Sequence, residues 1–209
     1  MRRKTRAEPI TPSAADTIFN AEEVCRSEIE GAIDLLGRFG NYPAAHLLSA
    51  AAHSNLRAIA KKEGVALKHD LSALVRAYAP KRESAVMNVF LAPYNGLKHI
   101  GSLSSEVFFK LEYVEITLHL AAVDYQQMFA KMTPKMAVYG AWVIHRFPEL
   151  IGSSKFPAMN IFDGADDPRP EKRLSPLRTA LVDVADDPDA TRLMMNALAE
   201  AQARSSPAR

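Results

Sequence analysis

The sequence contains a single cysteine, Cys25, among 209 residues. That excludes an intramolecular disulfide and a cysteine-based zinc site, and it fits a reducing compartment. No stretch approaches the roughly 18 consecutive apolar residues of a membrane span. The basic start, Arg2, Arg3, Lys4 and Arg6, runs into Glu8, Pro9 and Pro12 rather than an apolar stretch, which is not the pattern of a secretory signal. Together these absences make a cytoplasmic protein without a membrane partner the expectation. Glycine is sparse, with nine residues, and no glycine-rich loop stands before a helix, so phosphate-loop and dinucleotide-binding classes have no support. A Gly-x-Ser-x-Gly nucleophile elbow is missing. Charge of one sign is not in excess either: 26 basic against 24 acidic residues leave a net +2, too little to predict whole-chain attraction to a polyanion. Period-two runs of β-branched residues are hard to find, which leaves few candidates for strands.

What remains is rich in Ala, Leu, Lys, Glu, Arg and Met, all good helix formers. The expected fold is all-α: an antiparallel four- to five-helix bundle with a C-terminal helical extension. Residues 1–13 read as a flexible basic arm, 14–150 as the bundle, 151–173 as a linker or loop, and 174–204 as short C-terminal helices. A first helix is predicted from about Ala14 to Phe39, on Ile18, Val24, Ile29, Ile33 and Leu36. Gly40 and Asn41 stop it. Pro43 then opens a second helix to about Glu63, with Gly64 just past its end and Lys61 and Lys62 in its last turn. Asp70 caps a short helix through Tyr78, and another begins near Arg82 and meets Pro93.

Ser104 or Ser105 is the predicted cap of the longest helix, to about Lys131. Val107, Leu111, Val114, Leu118, Ala121, Tyr125 and Met128 form its seam, with Phe109, Tyr113, Ile116, Leu120 and Val123 as a second row. Apolar over so wide an arc, it is the expected central helix. Pro134 opens the next, ending at His145 and Arg146, where the helix dipole favours cations. Pro176 to Val184 and a helix after Asp187 complete the reading.

The histidines raise the question of metal. The Glu-x-x-His pairs of two-metal bundles are missing, so neither a metal nor any other cofactor is expected. Glu112, Glu115 and His119 share a helix face and read as a solvated stripe opposite the seam, with Glu115 and His119 an i,i+4 pair. His46, His53 and Arg57 line the second helix, and the two histidines read as partly buried and satisfied by neighbours.

One constellation is sharper: Tyr94-Asn95-Gly96-Leu97-Lys98-His99. It follows an alanine-rich helix ending in Ile59-Ala60-Lys61-Lys62-Glu63-Gly64 and precedes the long amphipathic helix. On these three features, from about Tyr42 to Lys131, the chain resembles the HEPN superfamily of prokaryotic helical-bundle proteins. The resemblance implies a bundle that pairs two-fold with itself. Active members are metal-independent ribonucleases whose motif is an Arg, usually followed by a polar residue, with a His four to six residues beyond the Arg. Such a His can take a proton from a ribose 2′-hydroxyl while the Arg clamps the phosphate under attack. Matched residue by residue, Asn95 takes the polar position, His99 the histidine, and Tyr94 stands where the family has Arg.

A neutral phenol cannot replace a guanidinium fork, and no Arg in the chain precedes a His with four to six residues between them. Lys98 points about 100° from His99 on a helix. Arg82 or Arg76 could enter from a preceding helix. The residues therefore leave enzymatic activity open. The first expectation is a HEPN-like, catalytically degenerate homodimer that binds RNA or a partner protein, with Tyr94, Lys98 and Arg82 as binding residues. The alternatives are a metal-independent endoribonuclease with His99 as base and Asn95 beside it, and a bundle with no nucleic-acid role that docks a partner through its C-terminal helices.

Overall fold

The computed structural model describes residues 19–67, 94, 110–147 and 162–187, with single positions at 189, 192 and 196. Among the described residues there are five helices and no strand: α1 (Ala21–Gly37), α2 (Tyr42–Glu63), α3 (Leu111–Phe129), α4 (Pro134–Arg146) and α5 (Pro170–Asp186). The protein is an all-α helical bundle, as its composition predicts. None of these helices is long and apolar enough to cross a membrane. The basic arm, the short helix after Asp70 and the helix near Arg82 lie outside the described residues.

Helix α1 begins later than Ala14, with Phe19 and Asn20 already outside it. Asn20 is the cap: its Oδ1 accepts from the Glu23 amide at 2.9 Å, and Glu23 Oε2 accepts from the Asn20 amide at 2.9 Å. This reciprocal box satisfies two amides that the first turn leaves without partners. The buried face is Cys25, Ile29, Ala32, Ile33 and Leu36, while Val24 is 37% exposed. At about 100° per residue, Cys25 and not Val24 falls in line with Ile29 and Ala32.

Helix α2 follows its predicted bounds. Asn41 Oδ1 accepts from the Ala44 amide at 3.1 Å, Pro43 occupies the first turn, and Gly64 closes the helix in the left-handed region at φ 67°. It runs antiparallel to α1, as a short connection dictates, with Asn55 of α2 donating to Glu28 of α1 at 3.1 Å. Helix α3 lies beside α2 in the same direction: the contacts Tyr42–Glu115, His53–Asp124 and Ala66–Gln127 advance together along both segments.

Helix α3 starts at Leu111, not at Ser104 or Ser105. Lys110 is extended, at φ −88° and ψ 114°, and an extended residue cannot carry the helical ladder. The predicted seam faces inward at Val114, Leu118, Ala121 and Tyr125, whereas of the second row only Leu120 is buried among the described residues. The most enclosed helix is α4 rather than α3. Every residue from Met136 to Ile144 is buried, because the cations of α4, Lys135, His145 and Arg146, are confined to its ends.

The stretch read as a linker contributes Phe162 and Ala165 to the core, and α5 begins at Pro170, so that Pro176 sits inside it. Pro170 at the first helical position sacrifices no intrahelical bond. Leu174, Leu177, Ala180 and Leu181 are buried as α5 packs on α4 and α1. Gly37 permits that approach, since a Cβ there would lie 2.6 Å from Leu181 Cδ1. Arg178 Nε donates to the Gly37 carbonyl at 3.3 Å beside it.

Candidate functional site

Of the residues singled out from the sequence, Tyr94 is described: it is helical and half-buried. Arg82, Asn95, Lys98 and His99 lie outside the described residues, as does Arg76. The polar chemistry that the structure does describe runs along the inner seam between α2 and α3, in two clusters.

The first is built on Glu115. Far from facing solvent, its side chain is 0% exposed. Oε2 accepts from Arg146 Nε at 3.0 Å, and Oε1 accepts from Arg173 Nη1 and from the Tyr42 hydroxyl, both at 3.3 Å. The Glu115 carbonyl accepts from the Tyr139 hydroxyl at 2.8 Å. Both guanidinium groups reach further. Arg146 donates to the Ala165 carbonyl at 2.6 Å and stacks over Phe147, and Arg173 donates to the carbonyls of Asp167 and Pro168 at 3.2 and 3.4 Å. Arg173 also lies 3.6 Å from Glu112.

Burial raises the Glu115 carboxyl above its ordinary range, against the pull of Arg146 and Arg173. Burial likewise raises the Tyr42 and Tyr139 phenols, with the Glu115 charge adding to it. Each guanidinium nitrogen of the pair has a carboxylate or carbonyl partner, so the cluster ties loop 162–169 and α5 to the bundle. The predicted solvated stripe fails here for a readable reason. Glu115 stands four residues after Leu111 and three before Leu118, on the edge of the seam itself.

The second cluster lies two to three turns along. Asp124 is 0% exposed, and its Oδ2 sits 2.9 Å from Nδ1 of His53, itself 8% exposed. The two atoms are within hydrogen-bonding distance. His53 thus takes the neighbour expected of a buried histidine, and the neighbour is a carboxylate. None of the pair's four polar atoms, His53 Nδ1 and Nε2 and Asp124 Oδ1 and Oδ2, makes a hydrogen bond, and all four are buried. A carboxylate beside Nδ1 is the kind of neighbour that orients an imidazole to accept a proton at Nε2, here at contact distance without the alignment of a hydrogen bond. His46 is buried two turns earlier on the same helix, and Arg57 and His119 are half-buried. Asp124 is not among the candidate residues of the sequence. Its signal is a carboxylate between Ala121 and Tyr125, next to a seam position in the middle of a helix.

No group of three histidine, cysteine or acidic residues placed to hold a metal occurs among the described residues. Burial, with Glu28 nearby, pushes the Cys25 thiol up to about 11, away from the reactive thiolate form. Compared with family models, with curated proteins and with solved structures, the chain gives no match.

Proposed function

We propose that this chain is a HEPN-like helical bundle that acts by binding, to RNA or to a partner protein, without cleaving RNA. The observation that carries the proposal is where the arginines are. By the resemblance Tyr94 stands where the family has its arginine, and Arg146 and Arg173, whose side chains are 6% and 7% exposed, are both bonded to Glu115 and to loop carbonyls. A guanidinium held in this way cannot swing to a developing phosphorane without giving up its bonds to buried Glu115 and to the loop carbonyls. Removing one preorganised donor of this kind costs about 10²- to 10³-fold in rate. A binding role also fits the packing of α5. Its apolar face is already used in the core, so a partner would be taken up elsewhere on the bundle.

The test is RNA cleavage by the purified protein in EDTA, with no added metal, beside the His99→Ala variant. Neither protein should cleave above background. Cleavage by the unaltered protein that disappears in His99→Ala would overturn the proposal and establish the ribonuclease. Fluorescence anisotropy with a labelled single-stranded RNA, repeated over a salt series, then separates the two kinds of binding. An RNA binder shows an affinity that falls steeply with salt, whereas a protein-binding bundle shows no saturable RNA signal.

A further inference from the structure

We draw no further inference here: the strongest candidate, the buried His53–Asp124 pair in the seam between α2 and α3, adds nothing to the proton-accepting geometry already described, because its Nε2 is closed off from solvent and nothing in the structure shows what would reach it.

Discussion

Two buried polar clusters occupy one seam, and they are finished to different degrees. At the Glu115 end a single carboxylate meets two guanidinium groups and a phenol, and the remaining guanidinium nitrogens find backbone carbonyls. At the Asp124 end one carboxylate lies 2.9 Å from one imidazole, and none of the pair's four buried polar atoms makes a hydrogen bond. Full satisfaction is what a structural tie requires, since an unpaired charge in the interior is costly. Incomplete satisfaction is tolerated where a group has another use or where the cost is small. The two ends therefore make different predictions about what happens when a partner is removed.

The largest effect belongs to the complete cluster. Glu115→Ala should lower stability by about 3 to 5 kcal/mol, because it strands two buried guanidinium groups. Urea denaturation followed by circular dichroism measures this directly. Glu115→Gln keeps an oxygen acceptor and should cost less than Ala. A loss under about 1 kcal/mol for Glu115→Ala would mean that water enters and solvates the arginines, and the two ends of the seam would then be alike.

The Asp124 end should show a smaller, purely pairwise effect. A double-mutant cycle with His53→Ala and Asp124→Ala should give a coupling of about 1 to 3 kcal/mol, the range for residues in direct contact. Nitrogen-15 spectra of the histidines supply a second readout, with His53 as the Nδ1–H tautomer and that preference lost in Asp124→Asn. Coupling near zero would reduce the 2.9 Å contact to mere proximity.

How much of this could be read in advance depended on the range of each interaction. Both ends of α2 were legible because Asn41, Pro43 and Gly64 act within one turn of themselves. The start of α1 is equally local, set by the Asn20–Glu23 box, whereas the apolar pattern that predicts a start near Ala14 counts Val24, which lies off the buried face. Glu115 was another matter. Its partners Arg146 and Arg173 lie 31 and 58 residues away, so its burial could be suspected from the edge of the seam, but the cluster that makes it tolerable could not. Asp124 and His53 are likewise joined only through the packing of α2 beside α3. As for the site proposed from the sequence, Tyr94 is the one residue of it that the structure describes.

A third perturbation reaches the complete cluster without touching a charge. Gly37→Ala puts a methyl group 2.6 Å from Leu181 Cδ1, between α1 and α5. Because the obstructing atom ends a flexible side chain, the cost should fall at the low end of overpacking, about 1 kcal/mol. If α5 is held chiefly by Glu115, Gly37→Ala should remain cooperative and only shift the urea midpoint. A separate early transition would show that α5 can leave the bundle independently of the ionic tie.

The smallest effect comes from the exposed counterpart of these clusters, the pair of Glu22 on α1 and Lys131 after α3. Lys131 Nζ lies 2.7 Å from Glu22 Oε1, with the lysine side chain 62% exposed. The Lys131 hydrogen bond holds the Glu22 carboxyl below its ordinary value of 4.5. A carboxyl lowered by folding contributes stability that is present above the unfolded value and is lost as pH falls through the folded one. Below about pH 4.5, the Tm of the unaltered protein should therefore fall slightly faster than that of Lys131→Ala, and the gap between them should close in high salt. A gap that persisted in salt would move this pair into the class of the buried clusters. Its disappearance would confirm that, in this bundle, it is removal from water that decides whether a charge pair matters.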